Sequence, residues 1–332
     1  MTGLRFGVAG TGRLGAAHAR ILSELPELTL VGVHDAVASR GEEVARTLGT
    51  RHVPDLADLV REVDAVVVAV TTRAHHAVAG SAIDAGCHVL VEKPLTPTLE
   101  EADDLVGRAA GAGVHLCVGH VERFNPAIRA CRPYLSDPRF LACQRLAPFQ
   151  PRGTDVPVML DLMIHDIDLV LGLVDSEVAS VHAVGVPLFT DSVDMANARI
   201  VFRNGAVADI SASRASAERT RELRLFQPSG YFSLDLAAGR GEFLRRRPEV
   251  DPASLFRAGA ASELSLGAIV ERVPLEGEAT EPLRLELEAF RDAILGRPSD
   301  AASARDGRAA LEVALRIGHE IERSGHDSAR HS

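Results

Sequence analysis

Through the first third of the chain, short and nearly continuous apolar runs alternate with amphipathic stretches. Leu4–Ala9, Leu28–His34, Ala65–Val70, His88–Val91 and His115–Val118 predict strands buried on both faces, as in a parallel sheet. Between them, Leu14–Leu25, Arg40–Leu48, His76–Ala85 and Leu99–Gly111 predict helices, and this alternation is the pattern of a doubly wound α/β domain. The periodicity changes after Gly119. Residues 120–175 read as irregular structure with a helix near Leu160–Leu171. Strands of alternating character follow at Val178–Val186, Val193–Phe202, Ala206–Ser213, Arg221–Gln227, Tyr231–Leu236 and Gly267–Val273, with Asn204-Gly205 as a hairpin signal. Helices over Arg284–Leu295 and Asp306–Arg323 close the pattern.

The expected architecture is therefore an α/β Rossmann domain with a parallel doubly wound sheet over residues 1–120. An α+β domain with a large, open, mostly antiparallel sheet follows over 121–325, and 326–332 reads as a frayed tail. At 332 residues, two domains suit the length.

Composition narrows the partners. A net charge of −10, with basic residues scattered apart from Arg245-Arg246-Arg247, argues against nucleic acid and anionic membrane. No apolar run is long enough to span a bilayer. Cys87, Cys117, Cys131 and Cys143 form no C-x-x-C pair, so structural zinc and a disulfide framework are not expected. Free thiols without an export signal predict a cytoplasmic protein.

The basic residues hold a sharper clue. The sole lysine among the 36 is Lys93. Arginine serves wherever a permanent charge suffices, but it cannot give up a proton at neutral pH. Lys93 sits in Glu92-Lys93-Pro94, directly after an apolar strand, where open α/β sheets bind ligands. A lysine there can be tuned to take the proton of an alcohol as its hydride departs.

Gly10-Thr11-Gly12-Arg13-Leu14-Gly15 fits G-x-G-x-x-G at a strand-to-helix turn: a tight turn, close backbone approach to a pyrophosphate, and close helix–sheet packing. Asp35 ends the second strand where a carboxylate takes ribose hydroxyls and repels a 2′-phosphate, favouring NAD over NADP, with Arg40 within reach. Asp161 and His165, four apart on a predicted helix, share a face, and a carboxylate beside an imidazole orients it and raises its basicity. No metal is expected; His165, Asp166 and Asp168 diverge on a helix.

Together, the glycine turn, the acid after the second strand, Glu92-Lys93-Pro94 and the D-x-x-x-H helix resemble the Gfo/Idh/MocA oxidoreductases. The likeness extends to Val68–Thr72 with His75 and to Glu288–Arg297. It implies Lys93, Asp161 and His165 as the catalytic set, Glu92 near the nicotinamide ribose, and Thr71, Thr72 and His75 along the cofactor. It also implies a homodimer or homotetramer through the open sheet. A narrower resemblance lies in Gly119–Pro126, Pro148–Arg152 and Asp161–Asp168, which are similar to the branch that oxidises the 3-hydroxyl of UDP-N-acetylglucosamine. It places His120, Glu122, Arg123, Asn125, Arg145 and Arg152 at the substrate; guanidinium forks suit a diphosphate, although arginines also pair with acids. The chain departs from its relatives in Thr71, where many carry proline, and in Asp155–Leu160, which replaces a glycine-rich run.

An NAD-dependent dehydrogenase of a sugar hydroxyl is the leading expectation, with Lys93 and His165 both open as the base. Inositol or free-sugar oxidation, deoxysugar ketone reduction and a non-enzymatic dinucleotide sensor are the alternatives. The joint presence of Lys93 and Asp161/His165 disfavours a sensor, which needs no proton relay. A short-chain dehydrogenase is excluded, since its Tyr-x-x-x-Lys pair would require tyrosine at Val89.

Overall fold

The computed structural model describes residues 3–150, 156–250 and 266–329. Its main strands gather into two sheets, each within its own compact unit. In the first, β1 (Leu4–Ala9), β2 (Leu28–His34), β3 (Arg51–His52), β4 (Ala65–Val68), β5 (His88–Glu92) and β6 (Leu116–Gly119) run parallel in the order β3-β2-β1-β4-β5-β6. This is the Rossmann order, with its topological switch between β1 and β4. All four residues of β4 are buried, as strands covered on both faces require. The helices α1 (Arg13–Glu24), α2 (Ala38–Leu48), α3 (Leu56–Arg61), α4 (His75–Asp84) and α5 (Leu99–Ala112) lie between strands. Their ends carry local signals: Asp55 caps α3 and Thr98 caps α5 with side-chain oxygens, while Gly49 and Gly113 end α2 and α5 in the left-handed region.

The second sheet comprises β7 (Phe140–Leu146), β8 (Val178–Val186), β9 (Met195–Phe202), β10 (Val207–Ser213), β11 (Thr220–Gln227), β12 (Gly230–Asp235), β13 (Arg240–Arg246) and β14 (Val270–Glu276). Their order is β14-β13-β12-β11-β7-β10-β9-β8, antiparallel throughout except for the β7–β10 pair. Helix α6 (Pro126–Cys131) and helix α7 (Ile164–Leu173) belong to the same unit, as does the single turn α8 (Leu266–Ile269). That turn stands where the pattern predicted a strand from Gly267, and the strand begins at Val270.

Packing divides the chain differently from a consecutive split near residue 120. One unit holds 1–124 and 280–313, the other 125–279 and 314–332. The return has an apolar cause. Helix α9 (Pro282–Ile294) buries Leu287 and Phe290 in the core of Phe6, Val8, Ile21 and Leu22, with Phe290 edge-on to Phe6 at 6.0 Å. The short strand Ala302–Ser303 then pairs antiparallel with β6. Helix α10 (Ala304–Ala329) follows, so the segment read as frayed is helical as far as Ala329.

β7 occupies the centre of the second sheet but lies within the stretch read as irregular. Its inward face is Leu141, Cys143 and Arg145. A buried arginine at the third position hides the period-two alternation. The predicted helix near Leu160 also differs: Met159–Met163 forms a π-helical turn that continues into α7.

A second buried arginine organises the loop before β9. Asp194, fully buried, accepts from the amides of Leu188, Phe189 and Thr190 at 2.6–2.9 Å and from Arg214 Nε at 2.8 Å. Arg214 also donates to Ser192 Oγ and to the carbonyl of Val156, while the amide of Val158 bonds Val193. These bonds fix the entry to the π-turn that carries Asp161. Burial works against the Asp194 carboxylate, but its amide and guanidinium donors prevail and hold its pKa far below the usual carboxylate range.

Candidate active site

Gly10 turns with φ +91°, and its amide bonds the carbonyl of His34. A Cβ there would lie 2.5 Å from the carbonyl oxygen of Ala69, so the glycine turn meets the end of β4 directly at the switch point. A Cβ on Gly15 would lie 1.8 Å from the Gly10 carbonyl oxygen, so no side chain fits. Gly12 differs. It is exposed, its Cβ direction is open, and it starts α1 without a side-chain cap. Bare backbone at a helix N-terminus with open space before it fits a pyrophosphate. Arg13 and Leu14 beside it are exposed, whereas Thr11 is buried.

Asp35 stands at the end of β2, with Oδ2 accepting from the amide and hydroxyl of Thr11 at 2.7 and 2.8 Å and Oδ1 from the Val37 amide at 2.8 Å. Three bonds leave acceptor capacity on a half-buried carboxylate for a ribose hydroxyl. Burial would raise its pKa, but the amides of Thr11 and Val37, the Thr11 hydroxyl and the charge of Arg40 bring it below the ordinary value. Asp35 is thus an anion at neutral pH, and Arg40 is exposed on α2 nearby. Replacing Asp35 by Ala should weaken NAD binding and narrow the preference over NADP, as read by titration of both dinucleotides. An unchanged ratio would contradict the ribose assignment.

The segment after β4 and the Glu92-Lys93-Pro94 segment are braced together. His75 is buried with Nδ1 2.9 Å from the carbonyl of Pro94 and Nε2 3.2 Å from that of Val70. Its pKa is lowered by burial, against the pull of those carbonyls and the Glu92 charge. His75 is thus held between these two carbonyls, and as a neutral imidazole it donates to one of them. Thr71 is exposed and Thr72 half-buried at that edge, and both stay open to a ligand.

Glu92 is also tied internally. Its carboxylate faces inward, with Oε1 2.8 Å from Nε2 of the fully buried His18. Burial works to raise its pKa, but the hydrogen bond and charge of His18, with Lys93, bring it below the ordinary range. Glu92 is an internal anchor, and Lys93, the next residue, is half-buried where the strand ends.

The residues expected at the substrate divide. His120 and Glu122 are buried, and Arg123 lies 3.3 Å from Asp306, all within the first unit. In the second unit Asn125 is a cap: its Oδ1 accepts from the Ala127 amide and its Nδ2 donates to the Leu236 carbonyl. Arg145 is 3% exposed and grips Asp166 with Nε and Nη2, both at 2.8 Å. Asn125 and Arg145 thus direct these bonds to partners inside the second unit, as buried polar groups must. Arg152 lies outside the described residues. Asp161 and His165, half-buried in the second unit, sit in the π-turn and the first turn of α7. π-turns inside helices recur at functional sites.

Sequence reasoning missed His18, Glu286, Asp194 and Arg214, all buried. One signal was available for the first two. Each interrupts the apolar stripe of an amphipathic helix, next to Ala19 and Leu22 on α1 and to Leu287 and Phe290 on α9.

A strand–glycine turn–helix with an acid after β2 in the Rossmann order defines a dinucleotide-binding α/β domain. Residues 4–120 match the family described as "Oxidoreductase family, NAD-binding Rossmann fold" and residues 143–232 match the "GFO/IDH/MocA C-terminal domain". The chain belongs to the Gfo/Idh/MocA family. It is 38% identical over 323 residues to UDP-N-acetylglucosamine 3-dehydrogenase of Acidithiobacillus ferrooxidans, an alignment covering 97% of this chain and 98% of the relative. The solved structure of that enzyme superposes with a TM-score of 0.86 at 37% identity, covering 97% of this chain and 99% of the other. The NAD-dependent scyllo-inositol 2-dehydrogenase of Bacillus subtilis strain 168 is 32% identical over 232 residues, covering 64% of this chain and 68% of that one. The protein is an NAD-dependent sugar dehydrogenase acting on a CH–OH group. Among the described residues, no helix is long and apolar enough to cross a membrane.

Proposed function

We propose that the chain oxidises the C3 hydroxyl of a UDP-N-acetylhexosamine to the ketone. The observation that carries this reading is likeness along nearly the whole chain to an enzyme named for that reaction, including both sheets. Gly10, Gly12, Gly15 and the start of α1 hold the dinucleotide phosphates, Asp35 its adenosine ribose, and Thr71 and Thr72 the nicotinamide edge. NAD held by these residues would supply the acceptor for the hydride of the carbinol carbon. The hydroxyl proton passes to Lys93 Nζ or to the imidazole of His165, which Asp161 orients; the other group stabilises the developing alkoxide. Arg123, with Arg152, remains the cationic candidate for the diphosphate, and the residues around His120 and Glu122 shape its surroundings. The enzyme works in the cytoplasm as a homodimer or homotetramer through the open sheet.

NAD reduction with UDP-N-acetylglucosamine, myo-inositol, scyllo-inositol and glucose tests the reading. Turnover is expected with the nucleotide sugar, at a kcat/KM at least about a hundredfold above the others, because a site built for polar groups rejects analogues that lack them. Preference for an inositol, as the scyllo-inositol 2-dehydrogenase relative would suggest, overturns it.

A further inference from the structure

The parallel pair at the centre of the second sheet ends in two buried arginines, and both hold the element that carries Asp161 and His165. Strands β7 and β10 lie side by side with Arg145 opposite Ala212 and Leu146 opposite Ser213, so their carboxyl ends coincide. Arg145 is the penultimate residue of β7, and Arg214 follows the last residue of β10. Arg145 grips Asp166, the residue after His165. Arg214 holds the other end: its Nη1 donates to the carbonyl of Val156 at 2.7 Å. The carbonyl of the next residue, Pro157, accepts from the amides of Leu160 and Asp161 at 3.0 and 3.2 Å. Val158 is tethered as well, its amide donating to the Val193 carbonyl at 3.0 Å.

The guanidinium is itself fixed. Arg214 is 5% exposed, with Nε on Asp194 Oδ1 at 2.8 Å and Nη2 on Ser192 Oγ at 2.6 Å. A planar fork reaches the carboxylate, the hydroxyl and the Val156 carbonyl at once, which a compact ammonium cannot do. Where the π-turn begins matters to the chemistry. A π-turn closes i→i+5 bonds and an α-helix i→i+4 bonds, so the angle between a side chain in one and a side chain in the other depends on the starting point. Asp161 lies in the turn and His165 in α7.

We propose that Arg214 is a positioning residue for Asp161 and His165: by holding the Val156 carbonyl it sets where the π-turn begins, and so the angle between carboxylate and imidazole. The inference rests on the reading of that pair as part of the proton-transfer machinery.

Arg214→Lys tests it, because the variant keeps a cation beside the buried Asp194 but loses the fork. Hydrogen exchange of the full chain, read by mass spectrometry without substrate, is expected to rise over residues 156–165 and to stay as in the wild type over residues 4–120. In turnover with NAD and UDP-N-acetylglucosamine (or the inositol or glucose, should one of those be the better substrate), kcat is expected to fall about tenfold to a hundredfold, the size of a misplacement near 1 Å. The KM for NAD should not move. If the lysine variant fails to fold, Arg214→Gln combined with Asp194→Asn leaves no unpaired charge at this site and supplies the same readouts. A double-mutant cycle separates positioning from general support. In a His165→Asn background, assayed with enzyme in excess so that slow turnover is read, the Arg214 substitution should change the rate by less than about twofold, because it acts through that imidazole. Unchanged exchange over 156–165, unchanged kcat, or the same further loss in the His165→Asn background overturns the proposal. Wild-type turnover in His165→Asn alone removes the reading of the pair, and the proposal falls with it, whatever the exchange result.

Discussion

Lys93→Arg should lower kcat by about 10²–10⁴-fold, the range by which a positioned proton-transfer group accelerates a reaction, while the protein folds and binds NAD as before. The substitution keeps the positive charge beside Glu92, so the buried His18–Glu92 pair retains its neighbour. What it removes is the ability to release a proton at neutral pH, since guanidinium stays charged. It also replaces a compact ammonium by a planar fork at a half-buried position. Circular dichroism and NAD titration should match the wild type while NADH production falls. Full turnover in this variant would remove Lys93 from the chemistry and, with it, the weight placed on the only lysine in the chain. A kcat loss accompanied by lost NAD affinity would instead point to a role in holding the cofactor.

The second large effect concerns stability. Arg145 and Asp166 form a two-pronged ion pair whose side chains are 4% and 2% exposed. Removing either partner strands a charge in the core between β7 and α7, and Arg145→Met or Asp166→Leu alone should each cost about 3–5 kcal/mol. The double variant should recover most of that loss, because a matched apolar pair avoids the desolvation that the ion pair suffers. Urea unfolding followed by circular dichroism measures both, the chain having no tryptophan to report by fluorescence. A different pattern would follow if Arg145 held the substrate diphosphate: Arg145→Met would raise KM and leave the unfolding midpoint in place.

These two residues show where sequence patterns carry and where they stop. Lys93 was legible because its argument is local: a rare residue type, directly after a buried strand, at the end where open sheets bind ligands. The positions of Gly10, Gly12, Gly15 and Asp35 were legible for the same reason, being set by one turn and one strand end. Arg145 was not. Its partner Asp166 is 21 residues away on another element, and the pair makes sense only once β7 is placed in the middle of its sheet. The same arginine concealed the strand, since an inward charged side chain breaks the alternation by which strands are recognised.

What the amino-acid order determined by itself is the succession of elements in the first unit, the glycine turn, the anionic end of β2, the family, and the candidates Lys93 and His165 for proton transfer, with Asp161 to orient the imidazole. These follow from short-range periodicity and from contacts among near neighbours in the chain. Tertiary structure alone decided that α9 returns to the first core, that His75 and Glu92 face inward, and that His18, Glu92 and Glu286 converge. It also decided that Asp194 and Arg214 secure the approach to the π-turn. Each of these outcomes is a buried polar group or an apolar stripe finding its partner across long stretches of chain. Such groups must be satisfied somewhere in the interior, but which residue satisfies them is set by how the elements pack.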